Sequence, residues 1–105
     1  MASKNGGQII SDLADELEKA SVQTFKLIKP VPDEHEELIK EVTVNADLTG
    51  ADVEAIANVG DKEGTAMIMI VSRATGLPSG LVRSMSGRDI KRINRFVQDF
   101  LSSDG

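Results

Sequence analysis

Cysteine, tryptophan and tyrosine are all missing from this 105-residue chain, and its only aromatic side chains are three phenylalanines. Without cysteine there is no disulfide framework, no thiolate nucleophile and no cysteine-ligated metal. Without large aromatics, a core has to be assembled from Ile, Val, Leu, Met and Ala. Such a core is modest in a domain this small, and a partner or self-association as a homo-oligomer would help it. A single histidine, His35, leaves little material for acid–base or metal chemistry. No run approaches the roughly 18 apolar residues that a membrane-spanning helix needs. The opening MASKNGGQII lacks the apolar centre of a signal peptide. These absences lead us to expect a soluble cytosolic protein with no membrane contact and no cofactor.

Basic residues are scarce in the first part of the chain. Residues 1–60 hold 5 of them against 12 acidic ones. Residues 61–105 hold 7 basic and 5 acidic, and all five arginines lie between Arg73 and Arg95. An acidic front and an arginine-bearing rear imply polar partner surfaces, or contact between the two parts. The net charge of −5 argues against non-specific nucleic-acid binding. What remains is ordinary: 40% apolar and 28% charged residues is globular rather than disordered composition, and the length fits one domain.

Along the chain, residues 1–24 read as a partly mobile extension. Within it, QIISDLADELEKAS spaces Ile9, Ile10, Leu13 and Leu17 as a helix does, with Asp12, Asp15, Glu16 and Glu18 mostly opposite. A helix over residues 8–20 is expected. It is too short to stand alone in water, so it packs on its own domain, frays, or binds a partner. Phe25–Val31 and Leu38–Val44 then form a hairpin, with Leu38, Lys40, Val42 and Val44 on one face of the second strand. Pro30 cannot donate to a ladder, which marks an edge. The acidic connection around His35 reads as a solvated loop, because neighbours in such a loop point apart and one histidine gives no ligand spacing.

Thr49 and Asp52 have the spacing of a capping box. The helix that they start should run to about Asn58 and bury Val53, Ile56 and Ala57. Thr65–Thr75 is apolar nearly all round, as in a helix that is buried or half offered to a partner. Met67 and Met69 point about 200° apart on such a helix, so one of them can sit at an adaptable surface. Gly76 stops this helix, Leu77 packs back, and Pro78 opens a short segment carrying Leu81, Val82 and Met85. Ser86 and Asp89 cap the last helix. Its buried stripe is Ile90, Ile93, Val97, Phe100 and Leu101, and its basic side carries Arg88, Lys91, Arg92 and Arg95. That basic side is either simply solvated or a docking face for an acidic or phosphate-bearing partner.

Catalytic chemistry finds no footing. Gly76–Gly80 lacks the lysine and the spacing of a phosphate loop. His35 has no oriented partner for nucleophilic catalysis, and no two carboxylates share an apolar setting. A protein without enzymatic activity is expected. Ser72–Val82 mimics a helix-turn-helix, but its second helix would present little beyond Arg83 to DNA. A small DNA-binding regulator and a structural or adaptor protein of unspecified partner therefore stand as alternatives.

Several stretches also occur in a characteristic order. They are Phe25-x-Leu27-x-Lys29-Pro30-Val31, a strand ending in Val42-Thr43-Val44, the helix start Leu48-Thr-Gly-Ala-Asp52, the corner Ala74-Thr-Gly-Leu-Pro78, and Asp89-x-x-x-Ile93 with Phe96 and Phe100. In this order they resemble the tail assembly chaperones of contractile-tailed phages and prophages, the tail assembly protein E-like and Mu-like tail proteins. The resemblance covers Phe25–Leu101 and leaves Met1–Thr24 outside it. It implies a chaperone in the bacterial host cytoplasm, absent from the finished virion. Such a protein binds the tape measure protein, keeps it soluble and assists assembly of the tail tube from its subunits. The expected fold is α+β: an N-terminal β-hairpin, a bundle of about four helices, and an extra N-terminal amphipathic helix. Residues 25–101 would form the single domain and 102–105 a mobile tail. For the partner-binding surface we single out Met69, Leu77, Leu81 and Met85 around the corner, then Arg88, Arg92 and Arg95.

Overall fold

A computed structural model describes residues 21–102. Its elements are β1 (Val22–Pro32), β2 (Leu38–Asn45), α1 (Gly50–Ala57), α2 (Glu63–Thr75), α3 (Ser79–Arg83) and α4 (Gly87–Ser102). The hairpin followed by four helices is the α+β arrangement expected. The helix foreseen over residues 8–20 lies outside the described residues.

Local signals account for most boundaries. The Thr49 hydroxyl accepts from the Asp52 N–H at 3.2 Å, and the Asp52 carboxylate accepts from the Thr49 N–H at 3.1 Å. This is a reciprocal capping box at the start of α1. In the connection between the strands, Asp33 Oδ1 accepts from the N–H groups of His35 and Glu37. The loop is closed by its own aspartate, while Glu34 and His35 face solvent.

The hairpin is not regular. Val22 to Lys26 pair antiparallel with Asn45 to Glu41, but further on Val31 stands opposite Ile39 and Pro32 opposite Leu38. Leu27, Ile28, Lys29 and Pro30 therefore oppose Lys40 alone, a wide bulge in β1. Pro30 falls inside it, where a missing N–H costs nothing. The bulge also changes which face of β2 meets the core. Val42 and Val44 are buried, as alternation requires, but beyond Lys40 it is Ile39 that packs inward, and Leu38 is 59% exposed. The common face expected for Leu38, Lys40, Val42 and Val44 is thus broken at Lys40, the residue opposite the bulge.

The core lies between the sheet and the pair α2 and α4. Phe25, Leu27, Val31, Val42 and Val44 meet Ile70, Val71, Ile93 and Val97, joined by Val82 and Met85 from the α3 region. Each such aliphatic side chain, fully buried, contributes about 1.5–3 kcal/mol. Phe96 stands edge-on to Phe25, with ring centroids 5.5 Å apart. Expectations of burial fail at the margin, where Ile56 and Phe100 are only half-buried and Ala57 is exposed. Val53 is 47% and Leu101 39% exposed, and Met85, expected at the surface, is buried. α1 is short and, among the described residues, touches the body mainly through α2, so its outer side is left open by them.

Asp89 is the fully buried charged side chain of this core. Its spacing from Ser86 fits a capping box, but its carboxylate turns to the sheet instead. Oδ1 accepts from the Ile28 N–H at 3.0 Å and Oδ2 from the Lys29 N–H at 3.2 Å. The bulge has taken those two donors out of the strand ladder, and Asp89 satisfies them. Arg92, one turn further along α4, donates to Asp89 Oδ1 at 2.8 Å and to the Lys26 carbonyl at 3.1 Å. Its guanidinium lies 5.5 Å from the centre of the Phe25 ring. The helix start is left to the Ser86 hydroxyl, which accepts from the Arg88 N–H.

Candidate functional site

α2 is the hub of the described chain, since it touches β2 and each of the other three helices. It buries Ile70, Val71 and Ala74, yet Met67, Ile68 and Met69 remain half-buried. A helix apolar on every side has more apolar surface than the core can cover, and the surplus lies along its first two turns.

The end of α2 is held firmly. Gly76 takes the left-handed conformation, with φ 77°, and its N–H donates to the Ser72 carbonyl at 2.8 Å. Glycine alone adopts this geometry without a steric cost. The Ser72 hydroxyl donates to the Leu77 carbonyl, and the Thr75 hydroxyl donates to the Val71 carbonyl and accepts from the Leu77 N–H. Pro78 then caps α3 with an extended backbone. The corner is thereby a rigid joint that turns α3 back beside α2.

Two open clefts flank the exposed side of α2. One, of about 590 Å³, runs between α1, α2 and the corner, with Ile68, Met69 and Leu77 beside Asp52, Arg73 and Arg83. The other, of about 450 Å³, lies between α2, α3 and the start of α4, and is mainly apolar, with Met67, Ile68 and Ile90 below Arg83 and Lys91. The clefts share Thr65, Ile68 and Arg83, so they form one bent trough around Ile68. Its floor is methionine and aliphatic, and its rim is cationic apart from Asp52, which pairs with Arg73 at 3.2 Å. Such a surface can hold an apolar, adaptable partner by contact and a rim of acidic groups by charge. Among the described residues, no group of three or more His, Asp or Glu side chains is placed to hold a metal ion.

A family model described as phage tail assembly chaperone proteins, E, or 41 or 14, matches residues 24–102. The chain belongs to the phage tail assembly chaperone family. No curated protein and no solved structure matches it. A phage tail assembly chaperone works in the host cell during morphogenesis. No helix among the described residues is long and apolar enough to cross a membrane.

The structure sorts the residues singled out for partner binding by a chaperone into three groups. Met69 and Leu77 line the first cleft. Leu81 is half-buried against the core, and Met85 is only 5% exposed, so it presents no surface to a partner. Arg88 is exposed on the first turn of α4. Arg95 is exposed on the sheet side, in a shallow depression with Gln23, Phe25, Phe96 and Asp99. Arg92 borders that depression too, but its guanidinium is committed to Asp89 and the Lys26 carbonyl. Arg92 is thereby tied to the sheet between the exposed Arg88 and Arg95. Sequence reasoning passed over Ile68, Arg73 and Lys91 as trough residues. Their signal was the apolar excess of α2 together with cations spaced around it.

The helix-turn-helix alternative loses its geometry here. α3 has 5 residues, with Val82 facing the core, which is too short to lie in a major groove and read bases.

Asp52 gives this wall of the trough a pH dependence. Hydrogen bonds from the Thr49 backbone and hydroxyl lower its pKa first, and Arg73 adds to the effect. A carboxylate depressed in the folded state adds stability above its unfolded pKa and loses it as the pH falls through the folded value. The wild-type chain should therefore be more resistant to urea than Asp52→Asn at pH 7, and the two should converge below about pH 4. A constant difference in urea midpoint down to pH 3 would contradict this.

Proposed function

We propose that this chaperone binds the tape measure protein of its phage, keeps that long apolar protein soluble in the host cytoplasm, and assists assembly of tube subunits around it. It leaves before the virion is complete. The observation that carries this reading, beside family membership, is the bent trough on α2. Half-buried Met67, Ile68 and Met69 supply a floor that tolerates many similar apolar helical segments, each held weakly enough to be released. The role requires no catalytic step and no cofactor.

Co-expression tests it. The tape measure protein should move from the insoluble to the soluble fraction when this chain is present and co-purify with it. If it aggregates equally with and without the chaperone, the proposal fails.

A further inference from the structure

A second apolar groove lies away from the trough, between α1 and the end of α4. It measures about 220 Å³ and is lined by Leu48, Val53, Ile56, Ile70 and Leu101, with Ala57 and Gln98 at its edge. Val53 and Leu101 are more exposed than aliphatic side chains of a paired helix face should be. The described chain begins beside this groove. The Ser21 carbonyl accepts a hydrogen bond from the Ala46 N–H, and the Leu48 N–H donates to the Ala46 carbonyl. Ser21 is thus tied one short link from Leu48, a residue of the groove wall.

The chain that precedes Ser21 has the pattern that such a groove takes. Ile10, Leu13 and Leu17 fall on one stripe at helical spacing, with Asp12, Asp15, Glu16 and Glu18 mostly away from it. At about 1.5 Å per residue, Leu17 and Leu13 lie roughly 6 and 12 Å from Ser21 along a helix. That is the length of one face of α1, itself about 12 Å long. A helix this short does not persist in water without packing. We propose that residues 8–20 dock as an amphipathic helix into the groove between α1 and α4, in cis, with Leu13 and Leu17 against Val53, Ile56 and Leu101. The N-terminal segment thereby completes the core on the side where α1 is uncovered. This does not depend on what the trough binds.

The absence of cysteine makes the test clean, because Glu16→Cys gives a unique site for a nitroxide spin label. With the full chain methyl-labelled, the signals of Val53, Ile56 and Leu101 should lose most of their intensity and recover when the nitroxide is reduced. Adding Leu13→Asp and Leu17→Asp to the labelled chain should abolish the loss while the signals of Val31 and Ile93 keep their folded positions. Unchanged Val53, Ile56 and Leu101 signals would overturn the proposal. So would broadening that falls on Met67 and Ile68 instead, which would place the segment in the trough. Equal broadening with label and isotope on different molecules would assign the segment to a second copy and also overturn docking in cis.

Discussion

Asp89→Ala should lower the stability of the domain by about 3 kcal/mol, because it leaves the Ile28 and Lys29 N–H groups of the bulge without an acceptor. In a domain of this size that is roughly 15 °C in melting temperature. Arg92 keeps 42% of its side chain exposed and can return to water, which holds the loss at the low end for breaking a buried pair. Asp89→Leu separates this account from loss of packing alone. It fills the volume but accepts no hydrogen bond, so it should be about as harmful as the alanine variant. Amide exchange gives the local readout, with Ile28 and Lys29 slow in the wild type and fast in both variants. A loss under about 1 kcal/mol, or unchanged exchange at those two amides, would show that the bulge is held by something else.

Met69→Glu combined with Arg83→Glu should weaken binding of the tape measure protein at least about tenfold, the effect of removing roughly 1.4 kcal/mol at a contact centre. Met69 contributes to the floor of the trough without belonging to the core, and Arg83 is exposed where the two clefts meet. Neither change should therefore unfold the domain, and an unaltered melting temperature is the control. Arg88→Glu with Arg95→Glu is the counterpart on α4, away from the trough lining, and should leave binding within about twofold. Loss of binding in the α4 pair with retention in the trough pair would move the partner surface to the basic side of α4.

Much of the architecture was legible from the residues because its causes are local. The capping box at Thr49 and Asp52, the stop at Gly76 and the stripe Ile90, Ile93, Val97 each follow from spacings within a turn or two. The second strand was legible from alternation and the first, which alternates only loosely, as its hairpin partner. The order of elements carried the resemblance to tail assembly chaperones that the family match then established. The surface was read less well. Of the four apolar residues expected around the corner, two line a cleft, while Met85 is in the core and Leu81 leans on it. An apolar residue on a short helix looks the same in sequence whether a neighbouring helix covers it or solvent does.

The sequence by itself determined the elements and their order over residues 21–102, since propensity, capping and periodicity act over a few residues. The family rested on the ordered motifs and their match. Only the tertiary structure decided what Asp89 is for. Three residues after Ser86 it has the spacing of a helix cap, yet its partners are amides 60 and 61 positions away in the chain. Those amides need an acceptor because four residues of β1 face one of β2 and leave the ladder, and a buried N–H must be paired. In the same way, α2 was recognisable as apolar on all sides, but which of its faces stays open was settled by where β2, α3 and α4 pack.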